Sequence, residues 1–428
     1  MNNPIGIILS RKLLILSSLS LSIGMIQFTH ADFIEDSQAE INFKNYYFDQ
    51  DQEPTDKDST VWGQGIELMY ESGYTEGKVG LGLDASAAIG IRLDGSKDKA
   101  KNSLMFPLDS DGGPTGYWTR AYPTLKVKYS KSELKVGELR PKLPILSRSF
   151  ARLLESSYMG TQLTSKEIKG LNLTAGYVTE AIPRASRDKS ELSIKGATQS
   201  SDGFLFAGAD WKPTKDLTLQ YYVGELDDFY VQQFLGAKHK FNITENQSLN
   251  TDLRLFDTQA TGANERGEKG YGTKVSNQTA SIDFKYKIKN HQFQFGAQKI
   301  GSDGDFLHMN QSGLGNGADG TFIYLPTNRL LQNFTNAGEK STWYGYRYDF
   351  TDQYLKGLNV SFLKVQGRDF GKCGCATESE IDYTLRYKVP QGKLKNLGFT
   401  AQYGKFKKST GTEQEQTRIY LTYSLPLF

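Results

Sequence analysis

The chain has 428 residues, of which 38% are hydrophobic, and a mean hydropathy of −0.51. No segment supplies the roughly 20 consecutive apolar residues that a membrane-crossing helix needs. The formal charge of +3 gives no overall bias toward nucleic acid or an anionic surface, so any electrostatic function depends on where the charges sit. Two cysteines in so long a chain exclude a disulfide scaffold.

The first element is LLILSSLSLSIGMI (13–26), preceded by Arg11 and Lys12 and followed by Thr29-His30-Ala31. A basic start, a short apolar stretch and small residues at the cleavage positions predict a secretory signal peptide over 1–31 and a mature chain over 32–428. Without Arg11 and Lys12, the 51 basic residues fall to 49, against 48 acidic ones.

Beyond the leader, helical periodicity gives way to alternation of period two, the mark of strands with two unlike faces. Strand-length segments fall near 38–48, 61–70, 78–93, 120–130, 132–139, 161–168, 171–178, 204–212 and 217–225. They continue near 230–240, 247–257, 278–288, 291–299, 342–350, 358–366, 379–388, 396–405 and 415–428. Long connections alternate with tight ones such as SGYTEG (72–77), KPTKD (212–216) and VPQGK (389–393), apart from a short link near 226–229. Leu125, Val127 and Tyr129 alternate with Lys126 and Lys128; Ile381, Tyr383, Leu385 and Tyr387 alternate with Asp382, Thr384, Arg386 and Lys388. The polar face carries too many charges to pack against a second sheet, whereas a closed barrel in a bilayer pairs every backbone group and leaves no edge. The fold class predicted is all-β, a transmembrane antiparallel β-barrel of about eighteen strands with long loops on one rim and short turns on the other. Its place is the bacterial outer membrane. Gly80 and Gly82 are expected to face the lumen and keep space open.

The residues WGQGIELMYESGYTEGKVGLGLDASAAIGIRLDG (62–95), LKVGELRPKLPILSRSFARLLESSYMGTQLTSKEIKGLNLTAGYVTE (134–180), GELDDFYVQQFLGAKHKF (224–241) and NAGEKSTWYGYRYDF (336–350) resemble the OprD family of substrate-selective outer-membrane porins. The resemblance runs over nearly the whole mature chain. It implies a channel whose third and seventh external loops fold inward to form a constriction. It also implies solutes that are small carboxylates, often amino acids and in some members carbapenem antibiotics, passed along lumenal arginines and lysines. The family's third-loop motif S-R-L-L-P reads here as Ala151-Arg152-Leu153-Leu154-Glu155. Arg152 matches the constriction arginine, Ala151 replaces a hydroxyl, and Glu155 adds a negative charge.

Strand parity points Lys44, Arg92, Lys126, Lys128, Lys135, Arg254, Lys285, Lys287, Arg347, Arg386, Lys388 and Arg418 inward. Closing the barrel sets the last three strands beside the first, so Arg386, Lys388, Arg418 and Lys44 are expected to form a basic row. A guanidinium holds a carboxylate bidentately. One charge pair at about 4 Å contributes roughly 4 kcal/mol at an effective dielectric of 20, which water in a pore lowers. A channel needs such weak sites in series. The plainer reading pairs these cations with Glu40, Glu67, Asp84, Asp252, Asp283, Asp349 and Asp382, which share their face. In the third loop, Arg140, Lys142, Arg148 and Arg152 stand among apolar residues, a mixture suited to folding into the barrel. The seventh loop carries GLGNGADG (313–320), where Asp319, or else Asp305, is expected to supply an acidic side.

The substrate-binding expectation is therefore Arg152, Arg386, Lys388, Arg418, Lys44, Arg347 and Asp319. No cofactor, metal or nucleic-acid partner is expected; the partners are small carboxylate solutes and outer-membrane lipids, and the assembly a monomer or loose trimer. C-G-C at 373–375 makes a poor zinc site and reads as a loop disulfide or two plain thiols. GLGNGADG lacks the Lys-Ser/Thr ending of a phosphate loop. Three alternatives stay open: a general diffusion porin, a barrel enzyme, and a purely structural barrel or adhesin, which the charged lumen and inward-looking third loop disfavour. The second needs a histidine to take a serine proton, and only His239, His291 and His308 remain after the leader.

Overall fold

The computed structural model describes residues 30–428, apart from Asp56, 312–321 and 352–353. Most of the predicted leader therefore lies outside the described residues. A short helix, His30–Glu35 (α1), comes first.

Eighteen long strands follow. They are β1 (Gln38–Glu53), β2 (Ser59–Glu71), β3 (Val79–Asp94), β4 (Tyr117–Tyr129), β5 (Ser132–Leu139) and β6 (Ser157–Ser165). Next come β7 (Leu171–Ile182), β8 (Phe204–Trp211), β9 (Leu217–Leu226), β10 (Tyr230–Thr244), β11 (Gln247–Ala260) and β12 (Ser276–Ile288). The last are β13 (His291–Ile300), β14 (Lys340–Asp349), β15 (Leu358–Phe370), β16 (Ala376–Lys388), β17 (Gly398–Lys408) and β18 (Glu413–Pro426). Each pairs antiparallel with its chain neighbour, and β1 pairs with β18 from Glu40 opposite Pro426 to Glu53 opposite Glu413. The sheet closes within one chain, so one copy makes a complete barrel.

All eighteen expected segments are strands, with shifts at their ends. The sixth runs over Ser157–Ser165 instead of 161–168. Its upper half is covered from inside by loops, so Tyr158 is buried and the alternation is lost there. Beyond Ser165 the chain turns, with the Lys166 N–H donating to Lys131 O and that of Leu171 to Ile168 O. Several long external connections are shorter than expected, because β1, β2 and β15–β18 continue well past the apolar band. Cys373 and Cys375 close a disulfide in the exposed turn between β15 and β16.

Alternation translates into two solvents. On β3, Val79, Leu81 and Leu83 are exposed on the outside while Gly80 and Gly82 are buried. An apolar side chain left exposed on every other residue is unstable in water and stable against lipid. The inward glycines, however, do not leave open space. A Cβ at Gly82 would meet the Lys126 side chain at 2.4 Å, and one at Gly80 would meet Tyr74 at 2.9 Å. At the external end Gly90 lies opposite Trp118 in register, and a Cβ there would come within 2.3 Å of the indole. Gly296 stands in the same relation to Trp343. Small residues in the wall thus make room for large inward side chains on the neighbouring strand.

Loops and wall form apolar clusters inside the external half of the barrel. One cluster joins Ile145 and Leu146 of the third loop, Leu192 and Ile194 of the fourth, and Phe306, Met309 and Leu325 of the seventh to Phe204, Phe234 and Phe256 of the wall. Ser193–Ile194 also pairs antiparallel with Met309–Asn310, which ties the fourth loop to the seventh. A second cluster sets Leu153 and Leu154 against Tyr46, Phe48, Phe106 and Trp118.

Leu83→Arg, which places a charge in the lipid-facing band, is expected to lower unfolding stability in vesicles by about 2–4 kcal/mol. Ser361→Arg, on the water-filled side, should change it far less; equal costs would contradict the assignment of faces.

Candidate functional site

The third loop (140–156) enters the barrel directly from β5. Arg140 anchors its root, bonding Glu67 at 2.6 Å and Glu138 at 3.2 Å, and Ser157 Oγ donates to Glu138 at 2.6 Å. Burial disfavours the charged guanidinium, but Glu67 and Glu138 outweigh it and hold Arg140 above even its ordinary range. Further along, Arg148 pairs with Glu155 at 2.5 Å, so the extra carboxylate of A-R-L-L-E neutralises a cation of its own loop. Arg120 of β4 donates to Pro183 O at 3.1 Å and to Glu155 O.

The tip of this loop lies on the inner wall. Leu153 and Leu154 seat over Gly63 and Gly65, where a Cβ would come within 2.9 Å of Leu153 Cδ2 and 3.1 Å of Leu153 O respectively. The Lys44 ammonium donates to Phe150 O at 3.3 Å and to Arg152 O, and Tyr46 Oη donates to Ala151 O at 3.3 Å.

The seventh loop (301–339) comes in from the other side. Phe322 stacks on Phe150 with ring centres 5.1 Å apart, and its N–H donates to Ser147 O at 3.3 Å. The loop is pinned to the wall at 330–332: buried Glu380 accepts from the N–H groups of Leu331 (2.8 Å) and Gln332 (2.9 Å), while Arg418 Nη2 donates to Leu330 O at 2.5 Å. Arg329, just before this point, donates to Pro326 O at 2.7 Å.

Between the two loops and the wall lies a cavity of about 1010 Å³. Among the described residues, eight cations line it: Lys44, Arg140, Arg148, Lys285, Arg329, Arg347, Arg386 and Arg418. Five described carboxylates share the lining: Glu40, Glu67, Glu71, Glu155 and Asp382. Four of the cations have carboxylate partners: Arg140 and Arg148 as above, Lys285 with Asp283 at 3.3 Å, and Arg347 with Asp349 at 2.5 Å. Lys44, Arg329 and Arg418 instead spend hydrogen bonds on neutral groups, mostly loop carbonyls, and Arg386 makes no hydrogen bond or ion pair among the described residues. A carbonyl satisfies a donor without cancelling its charge, so these cations keep their charge on the side of β1, β16 and β18, where Glu40 and Asp382 also line the cavity. In register, Arg386 stands level with Tyr420 through Thr400, one inward position below Arg418, and Lys44 is opposite Thr422, the next position down.

Of the residues expected from sequence, Lys44, Arg418 and Arg386 come together on this side. Arg347 lines the cavity with its charge offset by Asp349. Lys388 lies at the exposed end of β16, away from the cavity lining. Arg152 is turned to the wall: its Nε donates to Ser103 O at 2.7 Å and its guanidinium lies 4.7 Å from the Phe48 ring centre. The apolar side of A-R-L-L-E seats on β2, which leaves the arginine facing the second loop. Asp319 lies outside the described residues. Asp305 is exposed and accepts from the Ala337 N–H at 2.8 Å; among the described residues the acidic lining comes from the wall and the third loop. Lys126 and Lys135 share Asp84 at 2.6 and 3.0 Å, and Arg254 pairs with Asp252 at 2.6 Å. Arg329 was missed because no strand parity reaches it. Its signal is a repeated tripeptide: Arg329-Leu330-Leu331 copies Arg152-Leu153-Leu154.

Gly65→Val forces the third loop off the wall. The expected cost is about 1–3 kcal/mol of overpacking, together with an altered single-channel conductance in planar bilayers; an unchanged conductance would mean the loop does not set the pore.

A family model described as outer membrane porin, OprD family, matches residues 31–427. The chain is 30% identical to Porin D of Pseudomonas aeruginosa, over 96% of this chain and 98% of that protein. In structure it is similar to OccK8 (OprE) of Pseudomonas aeruginosa, with TM-score 0.85, 36% identity and coverage of 93% of this chain and 100% of that one. It is also similar to Pseudomonas aeruginosa OpdK with vanillate, with TM-score 0.83, 31% identity and coverage of 92% and 100%. The chain belongs to the OprD family of outer membrane porins, the substrate-specific β-barrel channels of the bacterial outer membrane.

Proposed function

We propose that this porin carries small carboxylate-bearing solutes passively across the outer membrane, amino acids and related compounds among them, with carbapenem antibiotics admitted through the same group. The observation that carries the reading is the cluster of Lys44, Arg329, Arg386 and Arg418 on one side of the cavity, none with a carboxylate within ion-pair distance among the described residues. A solute carboxylate would supply the direct ion-pair contact that these cations do not make with Asp382, which lines the same cavity. The structure of the relative OpdK with vanillate, itself a carboxylate, supports the same class.

Passage follows from weak sites in series. The carboxylate exchanges water for guanidinium donors at Arg329 and Arg418, then for the guanidinium of Arg386 and the ammonium of Lys44, each contact replacing the last before it is fully lost. Lys44 and Arg418 stay fixed by the carbonyls they hold, so little side-chain ordering is needed when the solute arrives. Glu40 and Asp382, which line the same cavity outside any ion pair among the described residues, favour solutes that also carry an amino group. His291 Nδ1 bonds Tyr346 Oη at 2.7 Å, and His239 is exposed on the outward face of β10.

Charge-assisted contacts contribute about 1.5–3 kcal/mol when dry. In a water-filled pore about 1 kcal/mol remains, or roughly fivefold in affinity. Arg386→Gln is therefore expected to slow liposome swelling by amino acids and other carboxylates, while swelling by neutral sugars is unchanged. Arg347→Gln should have a much smaller effect, since Asp349 already offsets that charge. Wild-type swelling that tracks solute size alone, with no preference for carboxylates, would establish a general diffusion porin instead.

A further inference from the structure

The outward face of β14–β17 changes character near the external rim. Within the lipid band it presents Phe362, Leu385 and the exposed rings of Tyr383 and Tyr403. Tyrosines at this level mark the boundary between hydrocarbon and headgroups. One outward position higher stand Lys364 and Lys405, on either side of Ile381 in register. Above them come Gln366, Ser379 and Lys407 in one row, and then Arg368 beside Lys340. Gln366, Arg368, Ser379 and Lys407 help line a recess of about 720 Å³ at this rim, together with Glu413, Glu378 and Lys408, the last two paired at 3.6 Å.

These cations do not point into the channel. Their strand parity is that of the lipid-facing residues, opposite to that of Glu378, Glu380 and Leu363 on the same strands. Some opposing charge is present. Lys407 pairs with Glu413 at 2.7 Å, Lys340 with Asp369 at 2.9 Å, and Lys405 with Glu415. All three pairs are exposed, and such pairs exchange readily with external anions. Lys364 and Arg368 make no ion pair or hydrogen bond among the described residues. Lysine and arginine on a lipid face are tolerated only at headgroup depth, where an anionic headgroup is the natural partner.

We propose that this patch docks the phosphate of a phosphorylated glycolipid in the outer leaflet. Arg368 and Lys407 clasp the phosphate from two sides, with Ser379 and Gln366 completing its hydrogen bonds. Lys364 is one step nearer the acyl chains and Tyr383 lies against them. Guanidinium and ammonium groups converging on one recess suit phosphate better than any neutral headgroup. The band of tyrosines below selects a lipid over a soluble phosphate.

Native mass spectrometry of the full mature protein in detergent tests this with three probes: lipid A, its dephosphorylated form, and phosphatidylcholine. The wild type is expected to retain one lipid A about tenfold better than either other lipid. Lys364→Ala/Arg368→Ala/Lys407→Ala should abolish the difference with single-channel conductance unchanged, since none of the three faces the cavity. Arg368→Gln alone should reduce it, which keeps the test alive if the triple variant folds poorly, and Arg368→Lys should restore part of it. Equal retention of the dephosphorylated lipid, undiminished retention by both variants, or full displacement of lipid A by inorganic phosphate would overturn the proposal.

Discussion

Backbone amides cannot be left unpaired in hydrocarbon, and this constraint organises the molecule. Each unsatisfied donor or acceptor there costs several kcal/mol, so the sheet must close. It closes by pairing β1 with β18 over the whole length of both strands. The seam brings residues from opposite ends of the chain into one wall sector, with Lys44 on one side and Arg418 on the other. The basic side of the cavity is thus a consequence of closure as much as of composition.

Charge in the interior is sorted by the kind of partner. Cations bonded to carboxylates, such as Arg140, Lys126 and Arg254, hold wall and loops together and contribute little field. Lys44 and Arg418 hold the third and seventh loops by their carbonyls, and so keep their charge while positioning the constriction. The residues that fix where the loops lie therefore also line the cavity. Glu380 completes the arrangement by taking the two N–H groups that follow the carbonyl bound by Arg418.

Much of the wall was legible in the sequence, because two solvents on two faces impose a period that few other forces disturb. Leu81 and Leu83 see only lipid, so their spacing survives intact. The reading failed where the inner face is not water. Gly80 and Gly82 are filled by Tyr74 and Lys126, and the upper part of β6 is covered by loops, so the pattern there reflects packing. Loops have no period at all. Arg152 matches the family's constriction arginine by motif; its Nε bonds Ser103 O of the second loop while the leucines beside it seat on Gly63 and Gly65. Arg329 was invisible to parity and is marked only by its shared R-L-L tripeptide. Partners were the least legible feature, since whether a cation meets a carboxylate or a carbonyl depends on contacts between segments far apart in sequence.

The most direct test of the account is the reversal potential of single wild-type channels in a potassium chloride gradient. Cations held by carbonyls keep their field, so the potential should take the sign of chloride permeating faster than potassium. A potential near zero, or one of the opposite sign, would mean that the cavity's carboxylates cancel those cations and that the basic side does not govern what passes.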